Sequence, residues 1–237
     1  MKVISTLSAI ALSLTSVFAE VPSLQEEIDA KKTSGRKNAD PEKLADYAAG
    51  IEAIKTAGVL ESSKKKGDEA PDFSLIDSKG STLTLSEELK KGPVVLTWYR
   101  GGWCPYCNIQ LAAYQKILPQ IEELGAQLIA VSPELPDKSL STKEKNELRF
   151  PVLTDLNLKV AEEYGLVFKL TPEVAGHYSK FFSMEEFYGE DGSSNELPIA
   201  ATYVIDKNGK IVYSFLDEDY TKRAEPKDIL EALDGLE

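Results

Sequence analysis

Two cysteines in 237 residues cannot build a disulfide framework, and one histidine leaves little for a histidine-based metal site. Basic charge is scarce too. Against 39 Asp and Glu stand 27 Lys and Arg, a formal charge of −12, which gives no field for holding nucleic acid phosphates or an anionic membrane. The only basic run, Lys64-Lys65-Lys66, sits beside Asp68 and Glu69. Internal repeats and low-complexity tracts are also lacking. What is present is a globular composition, 42% apolar and 28% charged, at a length that suits one domain with an appendage.

The one long uncharged stretch follows Lys2 and runs over residues 3–19. Its Leu/Ala/Ser-rich core is short for a membrane span, and Val17-Phe18-Ala19 puts small residues where a signal peptidase reads. Residues 1–19 therefore read as a cleaved secretory signal, and the protein as exported, periplasmic or secreted, with no membrane attachment after cleavage. In an oxidising compartment two cysteines are either bonded or used.

Residues 20–66 read as a helical extension ending in a linker. Ser23 and Glu26 have capping-box spacing, and Asp40-Pro41-Glu42 is a second helix start. Leu44, Tyr47, Ile51 and Ile54 follow at helical spacing, and Gly58 can close that helix. The expectation is a helix pair packed on the main domain, over residues 67–237, rather than a docking arm.

From Gly67 strands and helices alternate. Phe73–Leu75 is a short strand candidate, and residues 94–99, Val-Val-Leu-Thr-Trp-Tyr, read as a central strand buried on both faces. Helices are expected over about 105–124, 142–148, 160–164 and from Pro226, with strands over 126–131 and 150–153. Residues 202–205 and 211–215 flank Asp206-Lys207-Asn208-Gly209, a hairpin signal. This pattern predicts an α/β fold with a mainly parallel central sheet, an antiparallel hairpin at one end and helices on both faces. Residues 168–197, with Phe181, Phe182, Phe187 and Tyr188, read as an insertion, either a lid or a packed excursion.

The chemistry sits between the central strand and the long helix, in Tyr99-Arg100-Gly101-Gly102-Trp103-Cys104-Pro105-Tyr106-Cys107. A cysteine at a helix start meets unpaired N–H groups and the positive end of the helix dipole, which favour a thiolate. Cys-x-x-Cys there brings both sulfurs within disulfide reach. That bond closes so short a loop that chain entropy gives it only about 2 kcal/mol, a poor staple and a plausible redox switch. Cys107 shares a helical stripe with Leu111, Tyr114, Leu118 and Ile121 and points to the core; Cys104 is expected half out in the loop. Two thiolates alone leave a metal site half-built, and no cofactor is expected. Arg100 is the candidate cation beside the sulfurs. Trp103, Tyr106 and Pro198 are candidate substrate contacts, Pro198 with a peptide bond that is a candidate for cis. Trp98 reads as packing and His177 as a surface residue.

Several segments resemble the peroxiredoxin-like branch of the alkyl hydroperoxide reductase/thiol-specific antioxidant family, which has a thioredoxin fold. They are Gly67 to Phe73, Gly92 to Leu96, Tyr99 to Cys107, Phe150 to Asp155, Thr202 to Asp206 with Asn208-Gly209, and Asp219 to Pro226, the last resembling one subgroup. The resemblance implies a thiol peroxidase: a thiolate attacks a peroxide, a second thiol resolves the sulfenic acid, and an external dithiol, a thioredoxin-like or glutaredoxin-like protein, reduces the disulfide. Peroxiredoxins usually carry a Thr three residues before the peroxidatic cysteine and a Pro four before that Thr. Here Cys104 and Arg100 hold those positions, which implies Cys107 as nucleophile and Cys104 as resolver; the thioredoxin pattern implies the reverse order. The family's usual Arg before the late strand is replaced by Ala200 and Ala201, with Arg100 as the candidate substitute. Thiol–disulfide exchange on protein substrates is the alternative reaction, and a binding module with a structural disulfide the non-catalytic one.

Overall fold

The computed structural model describes residues 23–190 and 195–236; the leader expected over residues 1–19 lies outside them. In chain order the helices and strands are α1 (Leu24–Arg36), α2 (Pro41–Thr56), α3 (Val59–Ser62), β1 (Ser74–Asp77), β2 (Thr82–Thr84), α4 (Leu85–Leu89), β3 (Val94–Trp98), α5 (Pro105–Glu123), β4 (Gln127–Ser132) and α6 (Pro136–Lys145). Then come β5 (Val152–Thr154), α7 (Lys159–Glu163), β6 (Val167–Lys169), α8 (Pro172–Tyr178), α9 (Met184–Tyr188), β7 (Glu196–Pro198), β8 (Thr202–Ile205), β9 (Ile211–Phe215) and α10 (Pro226–Asp234). Among the described residues no helix is long and apolar enough to cross a membrane.

Seven strands form one sheet in the order β2-β1-β5-β4-β3-β8-β9. Its centre is parallel, β3 with β4 and β4 with β5, and antiparallel strands flank it on both sides. The expected β8–β9 hairpin is one of two. The other, β1–β2, turns where the Asp77 carboxylate accepts the Lys79 and Ser81 N–H groups and Gly80 takes a positive φ of 84°.

Every residue of β3 is buried. Its alternation sends Leu96 and Trp98 into the core on one face, and Val95 and Tyr99 into the core on the other, with α5 and α10. α6 starts earlier than the expected 142–148, because Pro136 at its first turn is a start signal.

The N-terminal helices pack on this body. Leu24 and Ile28 of α1 are buried against α5, and α2 packs on α8. Ser23 and Asp40 cap the two helices as their spacing predicts. The N–H groups of Leu24 and Gln25 are taken by the Glu225 carboxylate at 2.9 and 2.8 Å, which fastens α1 to the start of α10. The described part of residues 168–197 is a packed excursion: β6 and β7 pair antiparallel at its base, and Val174, Tyr178 and Tyr188 are buried in the core.

Candidate active site

The chain leaves β3 at Trp98 and reaches Cys104, the N-cap of α5, through a turn that only small residues fit. A Cβ on Gly102 would collide with Thr142 Oγ1, and one on Gly101 with the Trp103 indole nitrogen. The buried Glu134 carboxylate pins this turn from beneath. It accepts the Gly102 N–H at 2.8 Å, the Tyr99 hydroxyl at 3.0 Å and the Thr142 hydroxyl at 3.3 Å. Burial pushes its pKa up, against those three hydrogen bonds.

Cys104 and Cys107 are free thiols and both are fully buried, so Cys104 is not half out in the loop as the sequence suggests. What covers it is its own neighbour. Arg100, 3% exposed, folds back so that Nη2 donates to Cys104 Sγ at 3.1 Å. A second guanidinium comes from the C-terminal segment: Arg223 Nη2 lies 3.5 Å from Cys107 Sγ. Burial opposes ionisation of Cys104. The hydrogen bond with Cys107 and the charges of Arg100 and Arg223 outweigh it and hold the Cys104 thiol well below its ordinary value. Burial, the hydrogen bond with Cys104 and that residue's negative charge drive Cys107 the other way, well above its ordinary value.

The two cations are held differently. Arg223 Nε donates to Gln110 Oε1 at 2.6 Å, Gln110 Nε2 donates to Thr97 Oγ1 at 3.0 Å, and Arg223 Nη1 reaches the carbonyls of Tyr220 and Lys222. Arg100 lies among rings. Its guanidinium carbon is 4.3 Å from the Tyr220 ring centroid, 5.1 Å from Trp103 and 5.9 Å from Tyr178. Its Nη1 donates to the Tyr178 hydroxyl at 2.9 Å, and its Nε has no partner among the described residues. Tyr188 closes the set: its hydroxyl accepts Trp103 Nε1–H at 2.6 Å and donates to the Arg100 carbonyl at 2.7 Å.

Above Arg100 opens a cavity of about 300 Å³, lined by Arg100, Trp103, Tyr106, Tyr178 and Tyr220 and closed outwardly by α1 and α2. Trp103 and Tyr106, next to the cysteines in the chain, line it. Pro198 does not. It pairs with Val167 in β7, its peptide bond is trans, and it is not among the cavity's lining residues; the two-stranded sheet explains a proline there without a site role. Trp98 packs in the core, and His177 is half-buried, 2.7 Å from Asp46. The reading of the residues gives no role to Arg223, Tyr178, Tyr188, Tyr220 or Glu134. The aromatic density of the insertion and the Asp219 to Pro226 segment were the available signals for all but Glu134. Among the described residues no group of three or more His, Cys, Asp or Glu gathers as metal ligands would.

Comparison with known proteins matches the main domain and its fold. Residues 66–214 match the model of the AhpC/TSA family. Over 150 residues the chain is 29% identical to the chloroplastic peroxiredoxin Q of Oryza sativa subsp. japonica, covering 63% of this chain and 58% of that relative. It is 23% identical over 160 residues to the thiol-disulfide oxidoreductase ResA of Bacillus thuringiensis subsp. konkukian, covering 67% of this chain and 74% of ResA. The crystal structure of the peroxidoxin BcpB from Mycobacterium tuberculosis superposes with a TM-score of 0.57 at 22% identity, over 73% of this chain and 98% of that one, and shares the fold. The peroxiredoxin Q relatives extend beyond what the chain spans, since it covers less than two thirds of their length. The chain belongs to the AhpC/TSA family.

Proposed function

We propose that the protein is a thiol peroxidase in which Cys104 attacks the peroxide and Cys107 resolves the product. The observation that carries this reading is the burial of both sulfurs behind Arg100, with a cavity of about 300 Å³ as the approach. A small peroxide fits such an approach. The site also has the electrostatics for the step. One buried thiolate is favoured between two buried guanidiniums, and the negative charge resides on Cys104, at the helix N-terminus and nearest Arg100.

In the first step Cys104 Sγ bonds to one peroxide oxygen, the O–O bond breaks, and the second oxygen leaves with the electron pair and takes a proton from solvent. Arg100, which lines the cavity and already donates to Cys104, is the cation placed to stabilise the charge that develops on the leaving oxygen. Cys104 becomes a sulfenic acid. The Cys107 sulfur then attacks Cys104 Sγ, water leaves, and a disulfide forms between positions within easy reach on one helical turn. An external dithiol of the thioredoxin or glutaredoxin kind returns the pair to thiols by thiol–disulfide exchange. The leader expected over residues 1–19 would place this cycle outside the cytoplasm.

The test is the reaction of pre-reduced protein with hydrogen peroxide in a stopped flow, read by tryptophan fluorescence and by mass for the disulfide. Second-order rates far above that of a free thiol support the reading. A rate no better than a free thiol's, with rapid reduction of insulin disulfides instead, would make the protein a thiol–disulfide oxidoreductase.

A further inference from the structure

The cavity over Arg100 is lined toward its mouth by three cations, Lys32, Arg36 and Lys43, and one carboxylate, Asp219. Among the cationic side chains lining it, Lys32 is engaged, 3.2 Å from Asp219 and 2.8 Å from the Thr221 hydroxyl. Arg36 and Lys43 are not: among the described residues neither pairs with a carboxylate. Both face the cavity. Arg36 lines the opening together with Tyr106, and Lys43 Nζ lies 5.7 Å from the Tyr47 ring centroid and 4.3 Å from that of Phe181. Two unpaired cations at one opening are notable in a chain of net charge −12. Below them the walls are rings, Tyr47, Trp103, Tyr106 and Tyr220, and Arg100 lines the cavity with them, over Cys104. The rim residues belong to α1 and α2 and lie outside residues 66–214, the stretch shared with the family.

A guanidinium over Cys104, apolar walls and cations at the mouth match one kind of molecule. We infer that the N-terminal helices select an organic hydroperoxide that also carries a carboxylate, bound with its hydroperoxide group at Arg100 and Cys104, its hydrocarbon body against the rings and its carboxylate at Arg36 and Lys43. The inference rests on the thiol peroxidase reading. The reaction is the one already written: Cys104 and Cys107 lose two electrons and become a disulfide, and the acid's hydroperoxide is reduced to the alcohol with release of water. Exposed cations attract a carboxylate modestly, and an excess of positive charge at a cleft mouth raises the encounter rate in a salt-dependent way.

The experiment compares four substrates on the pre-reduced full chain: linoleic acid hydroperoxide, its methyl ester, cumene hydroperoxide and hydrogen peroxide. The acid is expected to react about fivefold or more faster than its ester at low salt, with the advantage shrinking as salt rises. In the double variant Arg36→Gln/Lys43→Gln the acid-to-ester ratio falls toward one, while Lys55→Gln, an exposed cation on α2 away from the cavity, keeps it. Equal rates for acid and ester in the unaltered protein, or a ratio that survives in the double variant, overturn the inference even where hydrogen peroxide reacts fast. Slow reaction with all four peroxides overturns the peroxidase reading, and this inference with it.

Discussion

The two ends of the Cys-x-x-Cys turn each hold a sulfur and a guanidinium, and they are built on different rules. At the Cys107 end every nitrogen of the Arg223 guanidinium has a protein partner: Gln110, two backbone carbonyls and the sulfur itself. At the Cys104 end Arg100 is wrapped by rings that stack but take few hydrogen bonds, its Nε has no partner among the described residues, and its side chain lines a cavity. A cation with every donor satisfied is a fixed charge. A cation with a free donor can also receive a ligand. The comparison therefore separates a structural counter-charge from a substrate-facing one, three residues apart; the two equally buried thiols are driven in opposite directions by each other, because a charge on Cys104 disfavours one on Cys107.

The largest effects should come from the sulfurs. Cys104→Ser is expected to abolish reaction with peroxide. Cys107→Ser should still form a sulfenic acid on Cys104, visible as one added oxygen by mass, but no disulfide. The opposite pattern, with oxygen added to Cys107 in the Cys104→Ser protein, would reverse the assignment of the two ends and restore the order implied by the family's Thr position.

Arg100→Gln should rank next. Loss of a charged hydrogen bond to Cys104, and of the cation for the developing charge, is expected to slow the reaction about tenfold to a hundredfold. The pH profile carries the sign. With the Cys104 thiol held low, the unaltered protein keeps its rate as pH falls until acid protonates the thiolate. In Arg100→Gln the thiol titrates at higher pH, so the rate begins to fall earlier on the way down. Arg223→Gln should move that profile less, because its guanidinium touches Cys107 rather than Cys104. It should cost stability instead, about 1–3 kcal/mol by denaturant titration, since buried acceptors lose their donor. Equal shifts of the profile in both variants would erase the distinction between the two cations.

Local chemistry made the inner part of this site readable from the chain. Strand β3, the Cys104 and Cys107 turn, the start of α5 at Pro105 and the closeness of Arg100 all follow from residues adjacent in sequence, where hydrophobic run, helix-start signal and spacing act directly. The outer part was not readable, because it is assembled from contacts across long separations. Arg223 meets Cys107 across 116 positions, and Tyr178 meets Arg100 across 78. The burial of Cys104 is hidden from sequence in part for the same reason: Arg100 covers it, and Arg100 is held there by Tyr178 and Tyr220, which are far away in the chain. Pro198 was misplaced because a proline before a strand has the same local signature in a small antiparallel sheet as beside a reactive turn.

The smallest expected effect tests whether the rings around Arg100 take part in the chemistry or only hold it. Trp103 stacks on Phe182 at 4.3 Å between centroids and gives its one N–H to Tyr188. Trp103→Phe keeps an aromatic face toward Arg100 and removes that neutral hydrogen bond, a loss of about 1 kcal/mol. For a domain of this size that corresponds to a fall of about 2–4 °C in melting temperature. Tyr188 still donates to the Arg100 carbonyl, so the turn keeps its anchor and the peroxide rate should change less than about threefold. A rate loss as large as that of Arg100→Gln, with the melting temperature unchanged, would mean that the indole positions the peroxide itself. The Cys104 end would then depend on Trp103 as well as Arg100 to hold its substrate, and the contrast with the fixed charge at Cys107 would be sharper still.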